Sequence, residues 1–190
     1  DELLESPYVD IIIDCTGNAE LGVDTCLKAF AHGKSVVNVN VECDILAGAV
    51  LAEEAKKAGV VYSMAWGDQP AEIVDMVDWA RTAGFEVVCA GKGTRFQPEY
   101  HQSTPDTIWG YYGITAEHAE KSHMRAQMFN SFLDGTKSAI EMAAVSNATG
   151  LLPPEGGLNF PPVGTDDLPR ILKPKDKGGL LDHSGMVEVI

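Results

Sequence analysis

Val9-Asp-Ile-Ile-Ile-Asp-Cys15, followed directly by Thr16-Gly17, decides the fold. An apolar, β-branched run of this length that ends in small polar residues reads as a buried strand entering a turn. Working outward, Leu21, Cys26, Leu27 and Phe30 recur at helical spacing, and Gly33 follows as the stop. Ser35-Val-Val-Asn-Val-Asn40 reads as a second strand. Val50, Leu51 and Ala55 mark the stripe of a helix over Leu46–Ala58, closed by Gly59. Val60-Val-Tyr-Ser-Met-Ala-Trp66 is a third strand. Strand, helix, strand, helix, strand with short glycine turns predicts a parallel α/β sheet.

Pro70 suits the first turn of a further helix, with Ile73, Val74, Val77 and Ala80 on its buried side and Gly84 at its end. Phe85-Glu-Val-Val-Cys-Ala90 predicts another strand, and Gly91-Lys-Gly-Thr94 a glycine-rich turn. Residues 95–125 are irregular, with two short helix candidates. Residues 129–149 predict one long helical segment stopped by Gly150. The last forty residues are rich in Pro and Gly, which predicts extended structure ending in a short strand near Met186–Ile190. The expected division is residues 1–82, a partial nucleotide-binding sheet; 83–150, an α+β catalytic domain; and 151–190, an extended segment packed on it.

A net charge of −14 argues against a nucleic-acid surface and against anionic membranes. No apolar run approaches 18 residues and no signal peptide is evident, so a cytoplasmic protein is expected. Cys15, Cys26, Cys43 and Cys89 have no metal-ligand spacing, and no metal site is expected. Their apolar surroundings predict buried thiols of a reducing compartment.

In open parallel sheets, ligands bind beyond the carboxyl ends of the strands. This rule nominates Thr16, Gly17 and Asn18 after the first strand, Asn38, Asn40 and Glu42 at the second, and Trp66, Gly67, Asp68 and Gln69 at the third. Ordinary turn chemistry is the plain alternative for any one of them. A glycine-rich phosphate turn is not evident: Gly17-Asn-Ala-Glu-Leu-Gly22 has the wrong spacing, and Gly91-Lys-Gly93 precedes no helix. Residues 1–66 therefore read as the second half of a Rossmann-type sheet.

Asp134-Gly-Thr-Lys-Ser-Ala-Ile-Glu141 places acids and a lysine three and four residues apart. On a helix, Asp134, Lys137, Ser138 and Glu141 would share one face. Lys92, between two glycines, is the other candidate cation, able to hold an anion or polarise a carbonyl. His101 and His123 have no spaced partners and read as structural.

Several segments carry a family resemblance: Asp10–Gly17, Gly33–Asp44, Ala65–Pro70, Ala90–Thr94, Pro98–His101, Ser103–Thr107 and Met128–Met142. The chain resembles the homoserine dehydrogenase-like oxidoreductases. Within them it is most similar to the 1-deoxy-D-xylulose 5-phosphate reductoisomerase-like branch, which often carries a SAF domain. The resemblance implies NADP or NAD as cofactor, a catalytic α/β domain, a small-molecule substrate and a homo-oligomer. Relative to that pattern the chain resembles the interior of a longer member. Val39-Asn-Val-Glu42 stands where homoserine dehydrogenases carry Ala-Asn-Lys, and Asp134-x-x-Lys137 is one residue shorter than their acid–lysine spacing.

The expected chemistry is hydride transfer between the nicotinamide and a carbonyl or hydroxyl carbon of a small polar substrate, such as a phosphorylated sugar. Lys137 or Lys92 would be the proton donor or electrostatic clamp, with Asp134 and Glu141 orienting it. The alternatives are a non-catalytic small-molecule-binding or regulatory module of the same fold, or homoserine dehydrogenase itself.

Overall fold

The computed structural model describes residues 2–190, and the chain divides into two compact units. Unit 1 comprises residues 1–86 and 143–150; unit 2 comprises residues 87–142 and 151–190.

Unit 1 opens with a short helix, α1 (Glu2–Glu5). Strands β1 (Ile11–Asp14), β2 (Ser35–Asn38) and β3 (Tyr62–Met64) then form a parallel sheet in the order β1-β2-β3. The helices α2 (Ala19–Ala31) and α3 (Val41–Ala58) are the crossovers between successive strands. Pairing Ile12 with Val36 and Val36 with Tyr62 lines one set of side chains across the sheet. This face packs on Cys26, Phe30, Leu51 and Ala55 of the two helices. Ile11 and Ile13, at the alternate positions of β1, are exposed, as the pleat requires when one face is covered. Parallel strands are ordinarily apolar on both faces, which explains the unbroken Ile-Ile-Ile run.

The buried Lys34 is held by backbone rather than by a carboxylate. Its Nζ donates to the carbonyls of Ser6, at 2.7 Å, and Val9. This ties the segment after α1 to the start of β2. Helix α4 (Gln69–Thr82) follows β3, capped by Asp68, whose Oδ1 accepts from the Gln69 N–H. Arg81 of α4 donates to the Thr149 carbonyl at 2.7 Å.

Unit 2 is built on a parallel pair, β4 (Cys89–Lys92) and β5 (Met186–Val189), with Cys89 opposite Met186 and Lys92 opposite Val189. The expected strand 85–90 thus begins only at Cys89 and runs on to Lys92. Phe85 is instead drawn onto α4: its N–H reaches the Ala80 carbonyl and its ring lies 6.5 Å from Trp79. Helices α5 (Ile108–Tyr112), α6 (Ala116–Lys121) and α7 (Ala126–Leu133) fill the irregular region, with Ile108, Tyr100 and Leu133 at the centre of its apolar cluster.

The predicted single helix over 129–149 is two helices. Helix α7 ends at Leu133, and α8 runs over Thr136–Thr149. Gly135 between them sits at φ 91°, a left-handed backbone that a side chain disfavours. A Cβ there would also press on the Phe160 and His101 rings, at 3.1 and 3.3 Å. The C-terminal stretch is largely extended, with a short α9 (Leu168–Ile171) before β5. Of the cysteines, Cys26 and Cys43 are buried and Cys89 half-buried, but Cys15 is exposed, because the pleat turns it away from the helices.

Strand β4 approaches β5 unusually closely at Gly91, where a Cβ would stand 1.7 Å from the Glu188 carbonyl oxygen. Gly91→Ala is therefore expected to destabilise the protein by roughly 2–3 kcal/mol, lowering the unfolding midpoint in calorimetry. Gly93→Ala meets only Ile190, at 3.9 Å, and serves as the near-neutral control.

Candidate functional site

Two clusters of polar residues stand out, one in each unit, and each is described within its own unit.

In unit 1 the carboxyl ends of β1 and β2 are stitched by Asn40. Its Nδ2 donates to Asp14 Oδ2 at 3.1 Å, to Thr16 Oγ1 at 3.2 Å and to the Asn18 carbonyl at 2.8 Å. Its Oδ1 accepts from the Cys43 N–H and caps α3. Asn18 caps α2 by accepting from the Leu21 N–H. The structure thus brings Thr16, Asn18 and Asn40 together, but the Asn40 amide is fully engaged in building the turn. Thr16 and Gly17 are exposed, and open space surrounds the Gly17 Cα. Glu42 lies in the first turn of α3. Gly67 is exposed, and Asp68 and Gln69 begin α4 after the third strand.

Beneath this rim the groups are tightly desolvated. Burial, reinforced by the Cys43 and Asp14 groups, pushes the Cys26 thiol up to about 12. Burial also raises Asp44, against the opposing hydrogen bond from the Tyr62 hydroxyl. Neither the Cys26 nor the Cys43 thiol is a nucleophile near neutral pH.

The donor set of this rim fits one end of a dinucleotide and not the other. No lysine or arginine occurs between Ile11 and Leu27 or between Ser35 and Ala55. The first turns of α2 and α3 carry Glu20, Glu42 and Asp44, which occupy the positive ends of the helix dipoles. A pyrophosphate would meet repulsion there. An uncharged, hydroxyl-bearing group such as a ribose meets no such repulsion at the exposed Thr16 hydroxyl and Gly17 backbone.

In unit 2 the principal charged contact is Lys92–Glu141, an ion pair whose side chains are only 14% and 6% exposed. Lys92 ends β4 and Glu141 lies on the second turn of α8. Asp134 does not share the helical face with Glu141. It occupies the break before α8, where Oδ1 accepts from the Thr136 N–H at 2.8 Å and Oδ2 from Asn130 Nδ2 at 2.8 Å. Its role in the structure is to cap both helices. Lys137 is half-buried one turn ahead of Glu141, and Ser138 is buried.

Three features here escape the sequence reading. His101, read as structural, is joined to the break: its Nδ1 lies 2.7 Å from the Asp134 carbonyl. Its ring packs against Phe96 at 4.7 Å and edge-on to Phe160 at 5.9 Å. Phe160 holds a left-handed φ of 48°. The residue before it, Asn159, is clamped by the buried Glu188, which accepts from its backbone N–H at 2.9 Å and its Nδ2 at 2.8 Å. A glutamate inside the apolar strand Met186-Val-Glu-Val189 was the available signal, since a charge in a buried strand requires a dedicated set of donors.

Among the described residues no group of three or more His, Cys, Asp or Glu side chains is arranged to hold a metal ion. No helix among them is long and apolar enough to cross a membrane.

Removing one partner of a buried ion pair strands the other. Lys92→Met is expected to cost about 3 kcal/mol or more. The double variant Lys92→Met/Glu141→Leu should recover most of that loss in chemical denaturation, giving a favourable coupling in the double-mutant cycle.

Comparison with known proteins bears on unit 2 most directly. No curated protein matches the chain. One similar solved structure is a proposed homoserine dehydrogenase of Archaeoglobus fulgidus, at 16% identity and a TM-score of 0.45, covering 78% of this chain and 46% of that one. The chain thus spans about half the length of that protein. A family model, oxidoreductase DRL, catalytic domain, matches residues 67–190, which include Lys92, His101, Asp134, Glu141 and Glu188. The chain belongs to the oxidoreductase DRL catalytic-domain family.

Proposed function

We propose that this chain carries the substrate-facing part of an NAD(P)-dependent oxidoreductase. It transfers hydride between the nicotinamide and a carbonyl or hydroxyl carbon of a small polar substrate. The observation that carries this reading is the desolvated Lys92–Glu141 pair within the matched catalytic domain. A lysine at the end of a strand, held by a buried carboxylate, is a preorganised electrostatic partner for a developing alkoxide. Glu141 orients the ammonium.

When bound, the nicotinamide supplies or accepts the hydride. This chain's own residues bind and orient. Thr16, Gly17 and Asn18, braced by Asn40, border the nicotinamide ribose; Glu42, Gly67, Asp68 and Gln69 extend this rim. Lys92 donates a proton to, or clamps, the substrate oxygen. Lys137 is the second candidate for that role. Asp134 acts indirectly, by holding the start of α8.

Within this reading a reductoisomerase-like activity on a phosphorylated sugar is the preferred reaction, and homoserine oxidation the alternative. The protein works as a homo-oligomer in the cytoplasm. A second reading, a ligand-binding module without catalysis, draws on the acidic first turns of α2 and α3, which offer no place for a pyrophosphate.

The test uses purified protein with NADPH and 1-deoxy-D-xylulose 5-phosphate in one arm, and NAD or NADP with L-homoserine in the other. Absorbance at 340 nm follows turnover, and NADPH fluorescence follows binding. Turnover in either arm is expected, with Lys92→Gln lowering kcat on the order of 10²-fold while NADPH affinity changes less than about twofold. Activity of Lys92→Gln near wild type with loss in Lys137→Ala moves the role to Lys137. Sugar-phosphate binding without NADPH binding supports the non-catalytic module.

A further inference from the structure

We propose that the exposed side of α4 is a docking surface for a basic amphipathic helix of another protein. This goes beyond the oxidoreductase reading and does not depend on it.

The surface is apolar and continuous. Trp66, Met76, Trp79 and Phe85 are each between 60% and 79% exposed. Met76 and Trp79 lie three residues apart on α4, with Glu72 one turn earlier on the same face. Pro70, Ile73 and Val77 form the buried side of that helix. The Phe85 ring lies 6.5 Å from the Trp79 ring. Toward the start of the helix, the Trp66 indole N–H donates to Asp75 Oδ2 at 2.8 Å, which holds that ring beside the Met76 turn. Three rings exposed to this degree present roughly 300–500 Å². That matches the largest apolar patch of a typical monomer, a feature that often marks an interaction site.

The surrounding charge identifies the chemistry of the occupant. Residues 58–91 carry the acids Asp68, Glu72, Asp75, Asp78 and Glu86 and a single base, Arg81. That base is turned to the Thr149 carbonyl, to which its Nη1 donates at 2.7 Å. A second copy would bring the same acids and no further cation, so like charges would face each other. The apolar area also falls well short of the ~800 Å² that each partner of a standard interface buries. A helix meets both constraints. The 14 residues of α4 extend about 21 Å, the length of a four-turn partner. Aliphatic side chains at i, i+3, i+4 and i+7 would cover Met76 and Trp79. Flanking Lys or Arg would pair with Glu72 and Asp75 and lie on the exposed indoles.

Peptide titration followed by nitrogen-15 NMR tests this on the purified protein. The probe is a peptide of Leu and Lys only, patterned as an amphipathic helix of about four turns. One control replaces Lys by Glu; the other scrambles the order so that no apolar face forms. The patterned Leu/Lys peptide should shift the amides of residues 66–86 and the indole N–H signals of Trp66 and Trp79, while both controls bind at least tenfold more weakly. Glu72→Gln/Asp75→Asn keeps an acceptor for the Trp66 indole and should weaken binding about tenfold at low salt, with a flatter salt dependence. Glu53→Gln/Glu54→Gln removes the same charge from α3 and should change affinity less than twofold. Trp79→Ser, checked for an unchanged thermal midpoint, should also lose about tenfold. Shifts centred outside residues 66–86 overturn the proposal, as do equal effects of the two charge-removing pairs or equal binding of a control peptide. Sedimentation velocity supplies the remaining outcome: self-association that Trp79→Ser abolishes assigns the surface to a second copy and overturns the basic partner.

Discussion

Unit 2 depends on a charge that cannot be left alone. Lys92 and Glu141 are both withdrawn from water, and an isolated ion in that position would cost several kcal/mol. Their attraction therefore dictates where α8 starts relative to β4. The helix must bring its second turn to the end of the strand. The break at Asp134-Gly135 precedes it, with a left-handed glycine to redirect the chain and an aspartate to cap both ends. A buried pair is weak as a source of stability, since apolar residues would pack as well. It is effective as a device for fixing one arrangement, and here that arrangement sets a lysine at a strand end.

The same two strands support the second half of the region. Glu188 of β5 lies opposite Gly91 of β4, and its carboxylate is spent on Asn159 and the Val189 N–H. Fixing Asn159 fixes Phe160 beside it, and Phe160 is one wall of the His101 ring. A two-stranded ladder thus controls two features from neighbouring positions: Lys92 through its own backbone, and His101 through a chain of contacts. Unit 1 follows a different logic. Its polar strand ends are occupied with one another through Asn40, so the exposed surface offered to a ligand is chiefly Thr16 and the Gly17 backbone.

Local pattern was enough to read unit 1. The Ile-Ile-Ile run, the helical stripes and the glycine stops locate β1 to α4, because periodicity and burial coincide there, although α3 begins at Val41 rather than the expected Leu46. Local pattern misleads where a distant partner claims a side chain. Phe85 looks like a strand residue but is taken by Trp79. Asp134-Gly135 is a turn signal that the surrounding helical pattern concealed. Glu141 was expected beside Asp134 and Lys137, yet it pairs with a lysine 49 residues away. Spacing alone cannot reveal such a partner. His101 carried no local signal at all, since its tautomer is set by a carbonyl beyond the reach of sequence spacing. Glu188 was visible as a charge in an apolar strand, though not what it holds.

The pairing of β4 with β5 also governs how unit 2 can come into being. Cys89 lies near the beginning of that unit's sequence and Met186 far along it. Their ladder closes a loop containing almost everything between. Such contacts meet the full entropy of loop closure before any bond rewards it, so they form late and slowly. During synthesis, the crossover helices of unit 1 have their partners at hand as soon as they emerge. Unit 2 must wait for β5, holding its aromatic helices in the meantime. Its folding thus lags well behind the synthesis of β4, and that interval is when the unit is most exposed to aggregation or to the need for a chaperone.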